Sequence, residues 1–150
     1  EFDDTREFEL YNLNTREEIE VTFWRDGEYV PSALNKLDQF MRDWRRDQAI
    51  DVDPQLYTLL HDLYEEVDGE EPISLISGFR SKKTNDKLRA MGRNTAKKSQ
   101  HVLGKAADIY VPGVPVSDLR EEALELERGG VGYYPQNSFV HVDTGRVRQW

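Results

Sequence analysis

The chain has 150 residues, 37% of them hydrophobic, and a net charge of −9, enough length to bury a core of its own. Sixteen aromatic residues exclude a disordered polymer, and the acidic balance argues against nucleic acid as a general partner. With no cysteine, disulfides, thiolate metal sites and cysteine nucleophiles are excluded together. No run of about 18 apolar residues offers a transmembrane segment, and the opening Glu1-Phe2-Asp3-Asp4 does not read as a signal peptide. The expected organisation is one domain over 1–150, with 1–30 as an N-terminal hairpin extension.

The first elements alternate apolar and polar residues. Phe8–Tyr11 and Glu18–Trp24 read as an antiparallel hairpin, and Asp26-Gly27 marks a second turn. Pro31-Ser32 opens a helix with Ser32 as its cap, and Leu34, Leu37, Phe40, Met41 and Trp44 form one apolar stripe facing the core. Asp53-Pro54 is a cap followed by a first-turn proline, starting a helix that runs to about Val67 and closes at Gly69. His61 on that helix is expected at the surface or its boundary. Ile73–Ser77 reads as a strand, Thr84–Met91 as a helix, Ala106–Val111 as a strand, and Ser117 to about Glu127 as a helix capped by Ser117. Val131–Tyr134, Phe139–Asp143 and Val147–Trp150 read as strands of a terminal antiparallel sheet. The fold class is therefore α+β: an antiparallel sheet flanked by about four helices.

Residues 80–98 stand apart in charge, with eight Lys or Arg and one acid, leaving 12 basic and 28 acidic residues elsewhere. This is either a solvated basic helix and loop or a docking surface for an anionic substrate. Arg80 follows the strand end Ser77-Gly78-Phe79. It is either a surface arginine at a helix start or a bidentate partner for a carboxylate.

The chemistry concentrates in Ser99-Gln100-His101-Val102-Leu103-Gly104-Lys105-Ala106-Ala107-Asp108 and Phe139-Val140-His141-Val142-Asp143. Strand alternation puts Asp108 on the face opposite Ala107, Ile109 and Val111, and His141 on the face opposite Val140 and Val142. If the two strands pair antiparallel, Asp108 and His141 become neighbours about 5 Å apart, and His101 arrives from the preceding loop. Two histidines and a carboxylate are a ligand set for catalytic zinc. Read on spacing alone, His101 and Asp108 are more often two hydrogen-bonded structural residues than metal ligands.

The wider pattern Ser99-x-His101-x-x-Gly104-x-Ala106-x-Asp108 resembles the first zinc motif of the D-Ala-D-Ala metallopeptidase group. That group lies in the superfamily that also holds the lysostaphin-type peptidases and the hedgehog signalling domain. Ser77-Gly78-Phe79-Arg80-Ser81, Val131-Gly132-Tyr133-Tyr134-Pro135 and Phe139–Gly145 resemble further segments of the group. Leu10-Tyr11-Asn12 and Phe23–Pro31 are similar to its bacterial murein endopeptidase branch. The resemblance implies a sheet carrying Zn2+ on His101, Asp108 and His141, with Arg80 binding a substrate carboxylate. It implies hydrolysis of amide bonds in peptidoglycan peptides or cross-links, by an exported protein of the periplasm or cell envelope; the chain is expected to act as a monomer.

The chain departs from many relatives at the general base. A glutamate three residues before the last zinc histidine, or a histidine two before it, is replaced here by Ser138 and Phe139. Asp143, on the same strand face as His141, is the nearest substitute. It is the base, a group that holds a histidine ligand, or a turn residue before Thr144-Gly145. The missing base motivates a second reading, a non-catalytic zinc-containing module that binds the cell wall. A third is a metal-dependent hydrolase of another amide.

Overall fold

The structure, a computed structural model, describes residues 4–92 and 99–150. Arg93, Lys97 and Lys98 of the basic segment lie outside the described residues.

The N-terminal alternation produces β1 (Thr5–Asn12) and β2 (Glu18–Arg25), paired antiparallel, and the Asp26-Gly27 turn returns the chain into the short β3 (Glu28–Tyr29). Helix α1 (Pro31–Phe40) follows, then α2 (Pro54–Glu66), β4 (Ile73–Ser77) and α3 (Lys82–Ala90). The second half holds β5 (Ala106–Tyr110), α4 (Val116–Leu126), β6 (Gly130–Tyr134), β7 (Phe139–Asp143) and β8 (Arg148–Gln149). The class is α+β: among the described residues there are four helices, and eight strands form one sheet in the order β3-β2-β1-β4-β5-β7-β6-β8.

The sheet is mixed rather than purely antiparallel. β1 runs parallel to β4, and β8 parallel to β6. The first pairing follows from connectivity: α1 and α2 carry the chain from the hairpin over one face, and such a crossover returns a strand parallel to its start. In the second, the chain leaves β7, passes β6 and pairs on its outer side, so β8 forms that edge of the sheet. The N-terminal hairpin is thus hydrogen-bonded into the sheet through Leu10, Tyr11 and Asn12 against Ile73, Ser74 and Leu75.

One face of the sheet holds the core. Phe8, Leu10, Val21 and Phe23 meet Leu37 and Phe40 of α1 and Leu56, Leu60 and Leu63 of α2. Leu119 and Ala123 of α4 cover Val131, Val140 and Val142. Each fully buried aliphatic side chain contributes about 1.5–3 kcal/mol by leaving water, so this face anchors the strands whose opposite face carries the polar groups.

Three local expectations are corrected. Ser32 does not cap α1: Val30 holds the cap position without a side-chain hydrogen bond, because Pro31 already occupies the first turn. Ser117 likewise sits inside α4, behind Pro115 at the cap. Trp44 does not extend the apolar stripe. The helix ends at Phe40 with Met41 as its C-terminal cap, and Trp44 turns out to solvent at 41% exposure. By contrast Asp53 caps α2 by accepting from the Gln55 backbone N–H, and Ser81 caps α3 by accepting from Thr84.

Candidate metal centre

The polar face of the sheet converges on one row. Ser77, Asp108, His141 and Gly132 are successive cross-strand partners on β4, β5, β7 and β6. A register shift between Leu75 and Ser77 turns Ser77 into this row, the kind of bulge that re-aims a side chain beside a site. Ala107, Ile109, Val140 and Val142 point the other way into the core. The inward and outward sets are tied, because a one-residue slip would exchange them.

His101 comes from the turn between α3 and β5. Its backbone N–H donates to Ser99 Oγ at 3.1 Å, and its carbonyl accepts from the Arg80 N–H at 3.1 Å. Its Nδ1–H donates to the Gly78 carbonyl at 2.7 Å. The strand end after β4 and the turn carrying the histidine are thus laced together. Gly104 makes the return possible: its φ is +70°, a left-handed conformation, and a Cβ there would sit 2.8 Å from Ile50 Cδ1.

The tautomers follow from the partners. A carbonyl only accepts, so His101 carries its proton on Nδ1, and Nε2 turns its lone pair to Asp108 Oδ1, 3.1 Å away. Both His141 nitrogens face carboxylate oxygens, Nε2 Asp143 Oδ2 at 2.7 Å and Nδ1 the same Asp108 oxygen at 2.9 Å, so without a metal the ring donates through both. A cation taking the place of the Nδ1 proton would leave Nε2–H on Asp143. The three ligand-type atoms lie within 4.8 Å of one another. Three electron-pair donors converge on one point, with both outer imidazole nitrogens tied by hydrogen bonds. That is how a cation site is built, with supporting groups fixing ligand orientation. All three residues are buried, and among the described residues they are the group of histidines and carboxylates that could hold a metal ion.

Electrostatics report the same crowding. Burial pulls the His101 ring down, and the nearby Asp108 offsets only part of this. Burial works against charge on His141 too, but hydrogen bonds to Asp108 and Asp143 outweigh it and raise its basicity. Burial would raise Asp108; the two histidines more than reverse this and hold it far below the usual carboxylate range.

Asp143 is fully buried. Oδ1 accepts from the Gly130 and Gly145 backbone N–H groups, each at 2.9 Å, and from Arg148 at 3.0 Å. Oδ2 accepts from Arg148 at 2.9 Å and from His141. Burial acts to raise its carboxyl, but the His141, Arg148 and Gly130 hydrogen bonds prevail and hold it far below the usual range.

The centre opens into a cleft of about 1340 Å³. Trp44, Tyr134, Phe139 and Trp150 supply aromatic walls, and Arg45, Arg46, Lys87 and Arg148 supply positive charge. Among the described lining residues the only carboxylate is Asp108; Asp143 lies behind the wall. Arg80 also lines the cleft and is itself buried, with Nε lacking any hydrogen-bond partner. A buried cation with an unpaired N–H can take an anion. His61 lies elsewhere, edge-on to Phe23 and bonded to Asp62.

Local sequence patterns did not point to Asp43, Arg148, Tyr134 or Trp150. Asp43 is buried and accepts from the Ser81 N–H and hydroxyl, holding the start of α3 beside Arg80. Nothing in its charged neighbourhood marks it. Arg148 and Trp150 had a signal in strand alternation, which places them on one face.

A cleft over two buried histidines and an aspartate, held on a sheet and steadied from behind by a carboxylate, has the layout of a metallohydrolase. The chain belongs to the family described as peptidoglycan L,D-endopeptidase MepK, whose profile matches residues 1–150. It is 43% identical over 141 residues to the peptidoglycan L,D-endopeptidase MepK of Escherichia coli strain K12, covering 94% of this chain and 78% of that protein. It is 40% identical over 140 residues to the probable peptidoglycan L,D-endopeptidase MepK of Haemophilus influenzae, covering 93% of this chain and 75% of that protein. No solved structure matches the chain significantly.

Proposed function

We propose that this protein is a zinc-dependent endopeptidase that cleaves an amide bond between an L- and a D-configured centre in peptidoglycan peptides. The observation that carries the reading is the convergence of His101 Nε2, Asp108 Oδ1 and His141 Nδ1 in a chain of the MepK family. His101, Asp108 and His141 would hold the zinc ion, which would supply Lewis acidity for the scissile carbonyl and lower the pKa of a water.

The protein's own groups do the rest. Asp143 acts through His141: with five donors on its two oxygens, it has no basicity to offer a reacting water, and it keeps the ring turned with Nδ1 towards the site. Arg80 holds a substrate carboxylate with its underused guanidinium, which places the scissile bond relative to the centre. The basic cleft wall suits peptides that carry several carboxylates. Because peptidoglycan is the substrate, the protein works in the periplasm or cell envelope. The non-catalytic module is not favoured, since the family and the relatives it matches are described as endopeptidases.

The test is metal analysis joined to digestion of purified cross-linked muropeptides. We expect about one zinc per chain and cleavage by the wild type, and loss of both in His101→Ala. Unchanged metal content in that variant removes the ligand assignment.

A further inference from the structure

Tyr134 has a hydroxyl that the reading above leaves without a task. It projects from β6 into the cleft two residues beyond Gly132, the cross-strand partner of His141. Its ring stacks on Phe139 with centroids 4.7 Å apart and planes 15° off parallel. Its oxygen accepts the indole N–H of Trp150 at 2.7 Å. Trp150 is fixed in turn: its backbone pairs with Val131 and Tyr133 on β6, and its ring packs 5.1 Å from that of His141.

Hydrogen-bond bookkeeping then decides where the phenolic proton goes. Tryptophan only donates, so the Tyr134 oxygen is the acceptor in that bond and its own O–H is directed elsewhere. Among the described residues no acceptor takes it. A phenol titrates near pH 10 in its ordinary state, so the proton is present under working conditions. The group is a preorganised donor on the wall of the cleft that His101, Asp108, His141 and Arg80 also line.

We propose that Tyr134 is a catalytic residue that donates a hydrogen bond to the scissile carbonyl oxygen as negative charge builds on it. The step is hydrolysis: the water oxygen bonds to the carbonyl carbon, and the π pair moves onto the oxygen facing Tyr134. The C–N bond then breaks, and a proton from the water leaves on the amine. Tyr134 keeps its own proton throughout. A donor that meets charge only in the transition state raises kcat and leaves substrate binding nearly unchanged.

This inference rests on the amide-hydrolase reading, and the test separates the two. Wild type and Tyr134→Phe are compared on purified cross-linked muropeptides, with zinc content and circular dichroism measured on both. The phenylalanine keeps the stack on Phe139. Expected is a fall in kcat of about 100-fold, the range found for loss of one oxyanion donor, with KM within about twofold and zinc unchanged. A phosphinate isostere of the cleaved amide, a tetrahedral anion, binds the variant more weakly by a similar factor in calorimetry. Wild-type kcat and wild-type phosphinate affinity in Tyr134→Phe overturn the proposal. Loss of zinc from the variant overturns it as well, showing a structural role. No cleavage by the wild type sinks the hydrolase reading and this inference with it.

Discussion

Asp143 shows how a residue's surroundings choose among roles its type permits. A general base needs a lone pair facing the reacting water and a pKa near the working pH. Two backbone N–H groups, a bidentate arginine and His141 surround Asp143, which is why we assign it to holding the histidine rather than to the water. In Asp143→Asn one oxygen becomes an amide that donates into this ring of donors, leaving Arg148 short of its partner. The expected result is a zinc affinity lower by about 10–100-fold, read by competition with a chelator, with turnover returning to within a few-fold of wild type at saturating zinc. A turnover defect that saturating metal fails to repair would show that Asp143 acts on the water itself. His101, Asp108 and His141 were legible as a group in the sequence because a strand's two-residue period is rigid. Asp143's role was not, because it depends on Arg148, Gly130 and Gly145, which reach it through the tertiary fold.

Among the elements, the paired strands β6 and β7 depend on one absent side chain. A Cβ on Gly132 would lie 2.6 Å from Trp150 Cε2, within the indole that packs against His141 and bonds Tyr134. Gly132→Ala therefore pushes Trp150 off its seat. Trp150 is 49% exposed at the end of the described chain, so the ring can swing into solvent at little cost in stability. We expect a Tm within a few degrees of wild type, an altered tryptophan emission maximum, and kcat lowered by about tenfold or more as Tyr134 loses its fixed orientation. Unaltered emission and kcat would show that the indole has no hold on the site. The element pattern also marks where sequence reading stops. Strand faces follow from alternation, and Asp53-Pro54 announces α2 without help from the rest of the chain. The parallel pairings β1 with β4 and β6 with β8 join segments with no local signature of each other. Trp44 continues the helical period of α1 on paper, yet the helix stops at Phe40 and the same residue becomes cleft wall.

Across the whole molecule, the centre is a small cluster of charge that folding must take out of water, so stability, protons and metal are linked. Consider the metal-free protein. Asp108 and Asp143 are held below their ordinary range, so each stabilises the fold above about pH 4, and that stability is lost as pH falls through the folded values. His101 is depressed by burial, so the unfolded chain binds its proton more readily, and stability declines as pH falls below about 6.5. His141 is raised, so its contribution is full below about pH 6.5 and fades as pH rises through the higher folded value. A proton on His141 stands between the same atoms that would grip zinc, and the two compete. Zinc should therefore stabilise most on the alkaline side, where protons compete least for the ring, and least in acid, where it must displace protons from its ligands. Thermal melts of zinc-loaded and chelated protein from pH 8 to pH 5 should show a Tm difference that is largest at pH 8 and shrinks steadily as the pH falls. A difference that stays flat over this range would mean that His141 is not among the atoms that hold the metal.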